Sequence, residues 1–300
     1  MGVDKQIADR VTSRRENIRI MESENRAKLV FNDYGKYVEK KLEFIRKYLY
    51  IYSKIVGAHF SEMWYIEPES GPGCCQIKTS GRILLGSPLL ALSNEPYFHH
   101  YRFIEKDINC AKALDQRIKS YFPDKDALIK FGDCNIVLKE VLDEFSDNVH
   151  FLSIIDPKGL EFKMSTMILF AQKANAELYI NYPYDMAIKR CISPNAYEAT
   201  QKTVTEYFGG NEWISIRDDH YNKKISADEA RKKLLDLYMS KIRDIGFEFA
   251  SYSDIIFSDS NRPLYYLIHA SKTEVAKRTM KQVMKVGKDY QQIQKKLFEL

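Results

Sequence analysis

The chain has 300 residues, 45% of them hydrophobic, and a formal net charge of +5 at neutral pH. That apolar content excludes a disordered chain, and the mild positive balance permits an anionic partner without demanding one. The N-terminus carries no apolar leader, no stretch approaches the roughly 20 apolar residues of a membrane span, and the five cysteines form no C-x-x-C pair of the zinc or redox kind. A cytoplasmic protein with reduced thiols, no metal site and no membrane contact is the expectation, with adjacent Cys74 and Cys75 open to a reactive or partner-facing role.

Residues 1–30 alternate acidic and basic side chains among few large apolar groups, and read as a solvated helix or loosely ordered arm rather than core. From Lys36 to Val56 the pattern changes. Val38, Leu42, Ile45, Leu49, Tyr52 and Val56 recur every three or four positions, which predicts an amphipathic helix that Gly57 ends. Its Lys40, Lys41 and Lys47, with Lys189 and Arg190 further on, read as solvated surface, the alternative being a track for nucleic acid. Residues 1–57 thus form an extension ahead of one domain over 58–287, and 288–300 form a tail.

An apolar run through Ile66 then enters Glu67-Pro68-Glu69-Ser70-Gly71-Pro72-Gly73. The two glycines make either a structural corner or a cradle where backbone N–H groups approach a ligand that any Cβ would block. Beyond Ile83-Leu84-Leu85, a short helix opens at Gly86-Ser87-Pro88, with Ser87 as its cap and Pro88 in its first turn. Strands are predicted at 101–104, 127–131, 149–155 and 177–181, and helical segments between them make a parallel sheet the economical arrangement. A helical insertion occupies about 193–245, with a helix over 195–208, a turn through Gly209-Gly210 to Trp213, and a helix from Ser226, where Ser226 and Glu229 fit a capping box. Segments 247–250 and 264–270 supply a late strand pair.

Glu67, Glu105, Asp133 and Asp156 each stand just past a predicted strand. Singly, each is explained as a loop residue or helix cap; in register, they converge on the crevice outside the carboxyl ends of the strands. Glu105 can accept two hydrogen bonds from a ribose diol and Asp133 one from an adenine amine. S-adenosylmethionine has both features and a cationic end, while the chain has neither G-x-x-x-x-G-K-[ST] nor G-x-G-x-x-G, which leaves a nucleotide-dependent oxidoreductase the weaker fit. Asp156-Pro157-Lys158-Gly159 suits a plain strand-to-helix turn, or an acceptor that aims an amine lone pair for methyl transfer.

With these landmarks the chain resembles the three-Cys-motif partner family, whose members have a class I S-adenosylmethionine-dependent methyltransferase-like fold. The resemblance rests on Tyr65–Gly73, similar to Y-[IV]-D-x-F-[AS]-G-P-G, on Gly86–Leu92, Phe103–Asp107, Gly132-Asp133, Ile155–Gly159 and Tyr265–Ser271. It implies a Rossmann-like α/β sheet, mostly parallel with a late antiparallel strand and flanked by helices. Glu67, Ser70, Gly71, Gly73, Glu105 and Asp133 would bind S-adenosylmethionine, and Asp156, Pro157 and Lys158 would serve the transfer. It also implies partnership with a radical S-adenosylmethionine protein carrying three cysteines, and D-P-x-G is similar to that of tRNA guanine N2-dimethyltransferases, which points to an amino group on nucleic acid.

Three residues depart from the family pattern: Glu67 stands for Asp, Glu69 for Phe, and Lys158 for an aromatic residue. A Phe at 69 would pack beneath the loop, whereas a carboxylate must stay wet or find a cation. The leading expectation is a methyltransferase acting on an amino group of a nucleic acid or other large substrate. The alternative is a catalytically weak partner subunit of the same fold.

Overall fold

The computed structural model describes residues 17–21, 23–24, 29–258 and 262–273, so most of the charged arm, residue 261 of the late turn and the tail 288–300 lie outside the described residues. In chain order the elements are β1 (Asn32–Tyr34), α1 (Val38–Val56), β2 (Met63–Glu67), β3 (Cys74–Ile77), β4 (Ile83–Leu85) and α2 (Ser87–Leu92). There follow β5 (His100–Glu105), α3 (Ile108–Tyr121), β6 (Asp126–Phe131), α4 (Cys134–Leu142), β7 (His150–Ile155), α5 (Met164–Ala171) and β8 (Ala176–Tyr182). A π-helical turn, Tyr184–Ile188, leads to the insertion helices α6 (Glu198–Phe208), α7 (Trp213–Tyr221) and α8 (Ala227–Asp244), and the chain closes through β9 (Phe249–Tyr252), β10 (Ile256–Phe257) and β11 (Pro263–Ser271).

The main sheet runs β10-β11-β8-β7-β2-β5-β6, with β9 also paired to β11. Strands β6, β5, β2, β7 and β8 are mutually parallel, and β11 lies antiparallel to β8. This is the Rossmann-like, mostly parallel sheet with a late antiparallel strand that the sequence leads one to expect. Every residue of β2, β7 and β8 is buried, as helices on both faces require of central parallel strands.

Alternation along the strands divides the core in two. Tyr65, Phe103, Leu152 and Tyr179 face α1 and α3, while Trp64, Ile66, Ile104, Phe151 and Ile180 face α4, α5 and the insertion helices. From β2 the chain moves outward to β5 and β6, then returns to β7 on the other flank of β2. The topological switch point therefore falls at β2, where an open α/β sheet leaves a crevice beyond its carboxyl ends.

Two parts of the architecture differ from expectation. Residues 74–85 form a hairpin, β3 and β4, which β1 joins in a separate three-stranded sheet; the strands are too short to stand out from loop by pattern. The insertion has an extra helix at α7, whose single fully buried anchor, Trp213, leaves no apolar stripe to read. Ser226 does cap α8, accepting from the Glu229 N–H at 3.2 Å. Among the described residues, no helix is long and apolar enough to cross a membrane.

Candidate functional site at the switch point

Beyond the end of β2 a cleft of about 190 Å³ is lined by Glu67, Ser70, Gly71, Gly73, Glu105, Asp133, Asp156 and Lys158 among its residues. Pro157 lines an adjoining space instead. The glycine turn owes its shape to Gly71 and Gly73, at φ +64° and +85°, a region that side chains rarely adopt. Three hydrogen bonds tie it to the end of β5. Gly71 N–H donates to Glu105 Oε2 at 2.7 Å, and the Ser70 backbone N–H and hydroxyl both donate to the Ile104 carbonyl, at 3.0 and 3.2 Å. Ser70 thus fastens the turn to β5.

Glu105 accepts a second backbone bond, from Asp107 N–H at 2.8 Å, so it ties the turn to the start of α3. Asp107 and Asp133 cap α3 and α4 through hydrogen bonds from Asn109, Cys110 and Asn135 backbone N–H groups. The acids past β5 and β6 therefore do the local work of helix caps while standing at the cleft.

Glu67 is 1% exposed and accepts from the Tyr65 hydroxyl at 2.7 Å and from the Ser87 hydroxyl. Ser87 is therefore not the cap of α2; that place falls to Gly86, and the Ser87 side chain turns to Glu67. Burial pushes the Glu67 carboxyl up to about 8, against the lowering effect of both hydroxyl bonds. Glu69 also reaches about 8, first through burial and then through repulsion from Glu161. Its Oε2 is screened from solvent with no partner among the described residues. The residue is half-buried at the cleft wall with Lys106 as its electrostatic counterweight, and burial favours its protonated form over a desolvated charge.

The Asp156 carboxylate is doubly engaged. Lys41 Nζ lies 2.5 Å from its Oδ2, and Asn181 Nδ2 donates to Oδ1 at 2.7 Å. Lys41 is thus not a solvated lysine: its side chain is 7% exposed. Burial works against its charge, but the Asp156 carboxylate and the Tyr34 and Tyr265 phenols outweigh that and hold its pKa above that of an ordinary lysine. A sequence signal did exist, since Lys41 falls at the i+3 position of the stripe Val38, Leu42, Ile45. Lys158 is exposed and donates to Asn32 Oδ1 at 3.2 Å. Lys40 is exposed, Lys189 pairs with Asp185 at 3.0 Å, and Lys189 and Arg190 border a surface hollow with Arg262.

The first thirty residues are not all solvated arm. Ile20 and Glu24 are buried, and Glu24 pairs with Arg117 at 2.7 Å with side chains 1% and 0% exposed. The same guanidinium donates to the carbonyls of Val30 at 3.0 Å and Pro72 at 2.5 Å, so a segment from the N-terminal side is tied through α3 to the glycine turn. Cys74 and Cys75 are also buried, and burial pushes both thiols up to about 12, which disfavours the nucleophilic thiolate.

Fold and site together define a Rossmann-like α/β protein with an acid-lined cleft at its switch point. No family model matches the sequence, and no curated protein matches it. Solved structures of similar architecture include a putative O-methyltransferase from Klebsiella pneumoniae, at 10% identity over 85% of this chain and 89% of that one, with a TM-score of 0.45. The O-methyltransferase from Bacillus cereus in complex with SAH is similar at 10% identity, 88% and 96% coverage and a TM-score of 0.45. Trm1 from Pyrococcus horikoshii, with S-adenosyl-L-methionine, is similar at 10% identity, 79% and 57% coverage and a TM-score of 0.42. Each is a likeness of overall architecture alone.

Proposed function

We propose that the chain is an S-adenosylmethionine-dependent methyltransferase acting on an amino group of a nucleic acid or another large substrate. The observation that carries this reading is the convergence of the glycine turn and the strand-end acids on one cleft at the switch point. The donor set fits the cofactor. Glu105 has about four lone-pair sites and spends two on backbone N–H groups, leaving two for a ribose diol. Asp133 spends Oδ1 on Asn135, which leaves its other oxygen for an adenine amine.

Glu67 and Glu69 answer the positive end. As carboxyls that titrate near 8, they are largely neutral at pH 7 and become carboxylates when a cation arrives. S-adenosylmethionine, when bound, supplies a methyl group on a positively charged sulfur. On the acceptor side, Asp156 accepts an N–H of the amine and so aims its lone pair, while Asn181 holds the carboxylate in place. Pro157 and Lys158 border the approach.

A specific observation favours a second reading. Lys41 already occupies Asp156 Oδ2, the atom an acceptor amine would need, which suits a catalytically weak body of this fold serving a radical S-adenosylmethionine protein, as the resemblance to the three-Cys-motif partners implies. Titration calorimetry with S-adenosylmethionine and S-adenosylhomocysteine tests the first step: heat and thermal stabilisation are expected, and neither at millimolar ligand overturns both readings of the cleft. Cofactor binding without transfer to bulk DNA or RNA, together with co-purification of a three-cysteine partner, selects the second.

A further inference from the structure

A second chamber of about 180 Å³ adjoins the cleft, lined by Tyr34, Tyr37, Tyr265, Asn181, Met186 and Pro157 among others. Lys41 and Asp156 line both spaces, so their ion pair stands on the boundary between them. Two of the residues that line it carry a buried polar atom without a partner among the described residues. Asn181 gives an amide N–H to Asp156, and because a carboxylate only accepts, that end of the amide is the nitrogen. Its carbonyl oxygen is then the buried atom left unmatched, on a residue 3% exposed. The Tyr265 hydroxyl, on a residue 1% exposed, is likewise unmatched among the described residues. Buried polar groups without partners are rare enough to call for a ligand, a water or a catalytic reason.

We infer that this chamber is the acceptor pocket and takes an amino-substituted heteroaromatic ring, whose N–H donates to Asn181 Oδ1 beside Asp156 and whose face lies against the tyrosines. The inference rests on the methyltransferase reading of Asp156. Three phenol rings favour a flat π-system over a water or an alkyl chain. The boundary pair favours a neutral amine over an alkylammonium, because a second cation entering here meets Lys41, which the Asp156 carboxylate keeps charged. A ring amine is neutral at pH 7 and carries the donor that Asn181 lacks.

The test uses the full chain with S-adenosylhomocysteine at saturation and reads nucleoside binding by saturation-transfer NMR. Adenosine is compared with purine riboside, and guanosine with inosine, each pair differing by the exocyclic amine. The amine-bearing member of at least one pair is expected to bind about ten-fold tighter, the worth of one matched hydrogen bond. Asn181→Leu and, should that variant fail to fold, the smaller Asn181→Ala, both of which remove the carbonyl, are expected to lose this preference while S-adenosylhomocysteine affinity shifts less than about two-fold. Equal binding within both pairs, no binding of any probe, or a preference unchanged in the folded variants overturns the inference. If S-adenosylhomocysteine binds and no nucleoside does, the pocket falls and the cofactor cleft stands. If S-adenosylhomocysteine does not bind but an Asn181-dependent amine preference persists, the cofactor reading falls and the pocket stands.

Discussion

Glu105 and Gly71 are joined by a 2.7 Å hydrogen bond from backbone N–H to carboxylate, so the acid at the end of β5 builds the glycine turn as well as facing the cleft. One side chain thus links loop shape to ligand contact. Replacing Glu105 by Ala strands the N–H groups of Gly71 and Asp107, at a cost of about 1–3 kcal/mol. For a chain of this size that is a fall in Tm of several degrees, roughly 2–4 °C per kcal/mol. The same variant is expected to weaken S-adenosylmethionine binding at least about ten-fold, because ribose acceptors and loop order go together. A thermal melt and a calorimetric titration check both; affinity unchanged beside a lowered Tm would leave Glu105 a purely structural tie.

Glu67 and Glu69 give the protein a pH signature with a defined sign. Each carboxyl titrates near 8 when folded, against about 4.5 as an ordinary glutamate, so between those values the folded chain binds more protons than the unfolded one. Their contribution to stability is fully present below about 4.5 and is lost as pH rises through about 8. Melting temperature is expected to fall from pH 6 to 9, and to fall less steeply in Glu67→Gln. Binding of a cationic ligand should release protons at pH 7 and tighten toward pH 8. Calorimetry in two buffers of different ionisation enthalpy measures that release, and a titration with no proton flux would count against charge development at these residues.

The largely buried pair of Lys41 and Asp156 is expected to behave as a coupled unit. Asp156→Ala leaves an ammonium in the interior without its partner, a loss of about 3–5 kcal/mol, whereas Lys41→Met with Asp156→Asn removes both charges and costs much less. Denaturant midpoints of the two single variants and the double variant give the coupling energy. Strict additivity would mean that the pair is not closed in solution.

Arg117 and Glu24 make a similar case further from the cleft. Glu24→Ala strands a fully buried guanidinium and is expected to cost about 3–5 kcal/mol. The guanidinium also holds the Pro72 carbonyl, so Arg117→Met should weaken S-adenosylmethionine binding beyond its effect on stability. Hydrogen exchange at residues 70–75, compared between wild type and Arg117→Met, reads the loosening directly; an unchanged pattern would separate the ion pair from the turn.

The legibility of the site followed the reach of each interaction. The glycines at 71 and 73 and the acids at 67, 105, 133 and 156 were readable because strand, turn and cap chemistry are local in sequence. Lys41 and Asp156 are 115 positions apart, and Glu24 and Arg117 93, and nothing local couples them. Their one signal was a cation within an apolar helical stripe, for Arg117 falls beside Leu114 and Ile118 as Lys41 falls beside Val38 and Leu42. Ser87 departs from expectation for a related reason: a serine ahead of Pro88 suits a cap, and only the approach of β2 offers it a buried carboxyl instead.

By itself, then, the order of residues determined the alternation of strands and helices, the mostly parallel sheet and the glycine turn, because period and turn chemistry act over a few residues. Only the tertiary structure decided what surrounds each charge. Burial keeps Glu67 and Glu69 protonated toward pH 8, Lys41 closes on Asp156 across the sheet end, and Arg117 draws the N-terminal segment to the turn. Desolvation and ion pairing depend on distances between remote parts of the chain, and those distances come into being when the sheet closes.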